Sequence, residues 1–219
     1  MTTFAILPIK TLDDAKTRLA EELDPRPRRA LVEAMFSDVL VALRRATLVD
    51  HMLVVSRDHN AQRIAGGYGA MVSDDEDTGH NDAAGRGIDR AVELGADRVL
   101  LVPGDTPLLD PAEIDALLGR PLQPPCVLIV PDRHGTGTNA LLLAPPNAMK
   151  SSFGPGSHDR HHRHASAAGI TAETVEVPSL ALDLDTPEDL QAVEATLSET
   201  RGGAAHPRGM LRQLARSRT

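Results

Sequence analysis

The stretch "VLLVPGDTPLLD", Val99 to Asp110, decides how the chain is read. Apolar residues run unbroken from Val99 to Pro103, and Asp105 follows, set between Pro-Gly and Thr-Pro. A short apolar run bounded by turn residues reads as a strand covered on both faces, the habit of parallel sheets. A carboxylate at the mouth of such a strand is unfavourable unless another group answers its charge.

The same pattern recurs outward from this point. Strands are expected at 4–7, 51–56, 98–103, 126–131 and 139–144, with a pair, "ETVEV" and "LALDL", near 173–184. Helices are expected at 27–45, 58–65, 83–94, 111–118 and 187–198. In the first of these Val32, Met35, Phe36, Val39, Leu40 and Leu43 recur at helical spacing. The last two open on "DPAE" and "TPED": a capping residue, a proline at the first helical position, then acids in the first turn. The alternation predicts an α/β fold, with a mixed, mainly parallel sheet and helices on both faces. Residues 1–200 read as one domain. The remainder, 201–219, carries five arginines and little apolar content, and is expected to be a frayed basic tail.

At 219 residues the chain is long enough for one large core. A net charge of −8 argues against a nucleic-acid partner, as does an aromatic content of 2% with no Trp to stack on bases. The one cysteine, Cys126, lies in an apolar run and is expected to be a buried, reduced thiol. The N-terminus lacks the basic and apolar regions of a signal peptide, and no segment has the length of a membrane span, so a cytoplasmic location is expected.

Ligands of open α/β sheets bind at the carboxyl ends of the strands, which selects the loops at 8–19, 74–82, 103–107, 132–138 and 183–186. The first, "PIKTLDDAKTRLA", has no glycine and is neither a Walker loop nor a dinucleotide fingerprint. Its Lys10, Lys16 and Arg18 suit a triphosphate; a solvated loop balanced by Asp13 and Asp14 is the competing reading. In "PGDTP", Gly104 allows close backbone approach, and Asp105 suits a hard cation such as Mg²⁺, or else a turn. A second ligand is supplied by "ALDLDTPEDL". Asp183 and Asp185 are two apart on an expected strand and so share a face, although Asp185 could instead cap the next helix. "DRHGTGTNALLLA" offers backbone N–H groups and hydroxyls to an anion, or forms a plain hairpin turn. In "FGPGSHDRHHRHASAAG", Ser157 reads as the N-cap of a helix whose free N–H groups point toward Gly154. The histidines and arginines of that helix favour an electropositive surface over a zinc site, since no Cys or intervening Glu accompanies His158 and His162. Asn81, in the acidic stretch "SDDEDTGHND", could read a base edge.

Taken together, "PIK…AKTRL", "GD-x-P", "GTGTN", "FGPGS" and "D-x-DTPEDL" resemble, in collinear order from about residue 4 to 195, the guanylyltransferases of coenzyme F420 biosynthesis. That family joins GMP from GTP to 2-phospho-L-lactate, phosphoenolpyruvate or 3-phospho-D-glycerate. The resemblance implies a nucleotidyltransferase (glycosyltransferase-A-like) fold. It implies Mg²⁺ on Asp105 and Asp183 with help from Asp185, and GTP phosphates on Lys10, Lys16 and Arg18 near Gly104. Asn81 would lie near the base, and the carboxylate of the acid would bind at Thr138, Gly154 and Ser157. It implies as functional partner the transferase that loads the product onto the deazaflavin, and it admits a homodimer. Two other readings stay open: another transferase of this fold, such as a molybdenum-cofactor guanylyltransferase or a sugar-nucleotide enzyme, and a nucleotide-binding regulator without catalysis. The glycine-free first loop counts against the former; the paired aspartates and basic loop count against the latter.

Overall fold

The computed structural model describes residues 1–12, 16–19, 23–75, 79–199 and 209. In chain order these form β1 (Thr3–Pro8), a 3-10 turn at Thr17–Leu19, α1 (Pro25–Arg45), β2 (His51–Val55), α2 (His59–Gly67), β3 (Met71–Ser73), α3 (His80–Glu93) and β4 (Arg98–Leu101). There follow α4 (Pro111–Leu118), β5 (Cys126–Pro131), β6 (Thr138–Ala144), α5 (Ser157–Ala167), β7 (Ala172–Thr174), α6 (Pro178–Ala181) and α7 (Pro187–Glu199). Of the expected tail, only Gly209 lies within the described residues.

The strands make one sheet in the order β3-β2-β1-β4-β6-β5-β7. Only β6 runs against its neighbours, β4 and β5; the other pairings are parallel. Period-2 alternation divides each strand between two cores, as side chains on a strand must. Ala5, Leu7, Leu100, Leu128 and Leu142 join Leu31, Phe36 and Leu40 of α1 on one face. Phe4, Ile6, Val99, Val127 and Leu141 join Ile88 of α3 and Ala165 of α5 on the other. Both faces are thus covered, which explains why the strands read as unbroken apolar runs. The expected α/β architecture is observed.

The direction of β6 positions the site. Leu101 of β4 pairs with Leu141 of β6, so β6 starts, at Thr138, on the edge where β4 ends. The tops of β1 and β4, the turn between β5 and β6 and the start of β6 all gather on one edge.

Two expectations about elements need correction. The predicted strand pair at 173–184 is not formed: only Ala172–Thr174 pairs, with β5, and Pro178 opens the single turn of α6. A proline has no N–H to give a ladder but suits the first position of a helix. The alternation of "LALDL" nevertheless survives without a ladder, because Leu184 is buried between Asp183 and Asp185. Cys126, in turn, is free but only half-buried at the start of β5.

Candidate active site

The loop after β4 and the loop after α6 are joined by one hydrogen bond, from the Leu184 amide to the Asp105 carbonyl at 3.2 Å. This bond brings Asp183 and Asp185 beside Asp105. Lys16 completes the group, its ammonium donating to the carboxylates of both Asp105 and Asp185. Its backbone takes a left-handed φ of 58°, unusual for a residue with a side chain, and that side chain is only 6% exposed. Burial would by itself lower the Lys16 pKa; the charges of Asp105 and Asp185 outweigh it and hold the ammonium above the ordinary lysine range. The Asp183 carboxyl is pushed up, first by burial and then by the charges of Asp105 and Asp185. Asn139 donates to Asp183 at 3.5 Å and, more strongly, to the Leu180 carbonyl at 2.6 Å.

The alternative role for Asp185, as a helix cap, falls to other residues. Thr186 and Asp189 cap α7 reciprocally: Asp189 accepts from the Thr186 amide at 2.7 Å, and the Thr186 hydroxyl accepts from the Asp189 amide at 3.3 Å. Asp185 is therefore left for Lys16.

A cavity of about 460 Å³ opens on one side of this group, lined by Pro8, Ile9, Lys10, Lys16, Phe36, Arg57, His80, Gly104, Asp105 and Asp185. A second, of about 290 Å³, is lined by His80, Asp105, Thr138, Asn139, Phe153, Gly154, Asp183 and Asp185. Asp105, Asp185 and His80 border both. Gly104 is closely packed: a Cβ there would displace Ile9 Cδ1 and approach Phe36 to 3.3 Å. Arg18 is exposed on the 3-10 turn and lines neither cavity. Asp13 and Asp14 lie outside the described residues.

Several expected residues do other work. Asn81 does not face either cavity: its Oδ1 accepts from the Phe153 amide at 2.6 Å and its Nδ2 donates to the Phe153 carbonyl at 3.2 Å. With both ends of the amide engaged on one backbone unit, it pins the 152–156 turn in place of a base edge. Its neighbour His80 enters both cavities instead, with its pKa lowered first by burial and then by Lys10. Ser157 is not the N-cap of α5; Gly156 is, at a left-handed φ of 69°, and the Ser157 hydroxyl is buried with no partner. The expected free N–H groups at this helix start are partly taken, by the Gly154 carbonyl on Ser157 and the Thr136 carbonyl on His158. The cationic face of α5 is likewise reduced. Arg160 clamps the turn through the Ser152 hydroxyl and the Ser152, Phe153 and Pro155 carbonyls. His161 is fully buried against Thr138 and Ser152. The "GTGTN" segment is a hairpin turn closed by Asp132, which accepts from the His134 and Thr136 amides, and only its Thr138 and Asn139 reach a cavity. His80 carried no signal in the local sequence, and Arg160 and His161 read as part of a cationic surface although one clamps the turn and the other is buried beneath it.

The donor chemistry suits a hard divalent cation: two carboxylates share one ammonium, and a third, Asp183, stands beside them with its pKa raised first by burial and then by their charge. Among the described residues no ready cluster of three or more metal-ligating side chains is gathered. Lys16 lies between two of the three acids.

A family model for "Guanylyl transferase CofC like" matches residues 3–215. The chain belongs to this family. Within it, a phosphoenolpyruvate guanylyltransferase of Conexibacter woesei is 56% identical over 99% of this chain and 98% of its own length. A 2-phospho-L-lactate guanylyltransferase of Methanothermobacter thermautotrophicus is 35% identical over 98% of this chain and 92% of its own. A 3-phospho-D-glycerate guanylyltransferase of Colwellia psychrerythraea is 35% identical over 87% and 90%. Among solved structures, a chain assigned as a nucleotide-diphospho-sugar transferase from Desulfovibrio desulfuricans G20 superposes with a TM-score of 0.77, covering 99% of this chain and 98% of that one. At 17% identity it shows the fold alone, and the fold is the one expected of a nucleotidyltransferase. No helix among the described residues is long and apolar enough to cross a membrane.

Proposed function

We propose that this CofC-like chain transfers GMP from GTP to phosphoenolpyruvate in coenzyme F420 biosynthesis, releasing pyrophosphate. The observation that carries the reading is the pair of cavities meeting at Asp105 and Asp185, one with the lysines of the first loop and the other with Thr138, Gly154 and Asp183. Phosphoenolpyruvate is favoured among the three acids because the 56% identical relative bears that name.

In this reaction an oxygen of the acid's phosphate attacks the α-phosphorus of GTP. The bond from that phosphorus to the oxygen bridging the β-phosphate breaks, and its electrons leave with pyrophosphate. The attacking phosphate is already an anion, so no protein nucleophile is needed. Catalysis is positioning plus neutralisation of charge. Lys16 and Lys10 bind the triphosphate and take up charge growing on the pyrophosphate, with Arg18 joining from the loop surface. Thr138 and the backbone at Gly154 hold the acid, with Ser157, which lines neither cavity, behind them at the start of α5. Asp105 and Asp183, with Asp185, would hold Mg²⁺, which when bound neutralises phosphate charge as a Lewis acid. The product, a diphosphate-linked adduct, suits onward transfer to the deazaflavin acceptor.

The test is pyrophosphate release from GTP and Mg²⁺ with each acid alone and then with all three in competition. Phosphoenolpyruvate should dominate the products. Release with another acid alone would reassign the substrate, and no release with any would sink the reading.

A further inference from the structure

The mechanism leaves one buried ring without a task. His161 of α5 is 0% exposed, with Nε2 2.9 Å from the Ser152 amide and Nδ1 3.0 Å from Thr138 Oγ1. A backbone amide always donates, so Nε2 presents its lone pair and the neutral ring carries its proton on Nδ1. That proton goes to the Thr138 oxygen. The Thr138 hydroxyl is then an acceptor toward His161 and keeps its own proton for a group in the cavity it lines. The opposite tautomer would set N–H against N–H at Ser152 and draw the Thr138 proton away from the cavity.

We propose that His161 is a positioning residue for the acid: it makes the Thr138 hydroxyl a donor to a carboxylate or phosphate oxygen and ties it to the 152–156 turn on the facing wall. The role rests on the reading of this cavity as the acid site. The ring is kept neutral by its surroundings. Burial acts first, and His164, Arg160, His158 and His162 of the same helix add to it, pushing the pKa down to about 4. From the other elements it meets the Thr138 hydroxyl, the Ser152 amide and the Phe153 ring in a T-shaped pair, with centroids 5.2 Å apart. Protonation would place a second donor against the Ser152 N–H, so the ring charges only by giving up that bond.

Two substitutions separate the bonds. In His161→Asn the amide N–H reaches about as far as Nδ1 and keeps the donor to Thr138; in His161→Gln the carbonyl reaches toward Ser152 and that donor is lost. His161→Gln should raise KM for the acid about ten-fold, the worth of one hydrogen bond, with KM for GTP unchanged. Adding Thr138→Val to it should then change little, and His161→Asn should restore most of the loss. Equal rises in both KM values, or additive effects with Thr138→Val, would reduce His161 to a packing residue and overturn the proposal. A second readout needs no turnover. Long-range ¹H–¹⁵N spectra of the full chain should show His161 as the neutral Nδ1–H tautomer between about pH 5.5 and 8. A proton on Nε2, or titration within that window, overturns this role alone. Failure of the wild-type chain to use any of the acids would overturn the acid reading and this role together.

Discussion

On the side of the 152–156 turn, Asn81, Arg160 and His161 reach in from two helices and engage backbone groups of Ser152, Phe153 and Pro155. On the side of the first loop, Lys16 spans Asp105 and Asp185. The turn is fixed by directional bonds whose partners are satisfied before any ligand arrives. The first-loop side is fixed by charge, between groups that GTP and a cation would rearrange. Preorganised geometry suits orienting a small acid, and exchangeable charge suits meeting a triphosphate.

The sharpest way to break this contrast is Asp105→Asn. It removes a carboxylate bordering both cavities, and kcat should fall about 10³-fold with the melting temperature little changed. Pyrophosphate release measures the first and thermal unfolding the second; near-wild-type turnover would end the assignment of Asp105. Lys16→Met keeps the length of the side chain and removes its charge. It should lower kcat about 10²-fold, and the loss should shrink as salt screens the triphosphate from the wild-type lysine. On the other side, Arg160→Met removes a clamp whose bonds to Ser152 and Phe153 span 3.1 to 3.3 Å. KM for the acid should rise about ten-fold, independent of salt, with KM for GTP held. Matching salt dependence in the two variants would erase the distinction between the sides.

The first-loop side was largely legible in the sequence, and the turn side was not. Asp105 and Asp183 announce themselves because each is a charge at the end of an apolar run, where the pattern alone says that something must answer it; Asp185 follows from its two-residue spacing, and Lys16 from the basic loop after the first strand. The α/β architecture was legible for the same reason, since strands buried on both faces leave unbroken apolar runs. The turn side depends on contacts that no window of sequence contains: Asn81 meets Phe153 across 72 residues, and Thr138 meets His161 across 23. Asn81 therefore looked free to read a base, and Ser157 looked like a cap until Gly156 took that place. The missed turn of α6 has a local cause, Pro178, whose helical role the apolar alternation of the following residues concealed.

The smallest effect comes from Asp183, and it separates stability from function. Its carboxyl is raised above the ordinary 3.8, first by burial and then by Asp105 and Asp185. An acid raised on folding binds its proton more tightly in the folded chain than in the unfolded one. Stability therefore falls as pH climbs from about 3.8 through the raised value, and the deficit persists at neutral pH. Asp183→Asn keeps the shape and removes that deficit. Without added metal the variant should be more stable than wild type at pH 7, and the gap should close toward pH 3. Turnover should fall at the same time, because the destabilising charge is the one assigned to the cation. Chemical denaturation at several pH values reads the first effect and pyrophosphate release the second. A variant both less stable and less active would show that Asp183 supports the loop through Asn139 more than it strains it. The charge-held side would then be as preorganised as the turn.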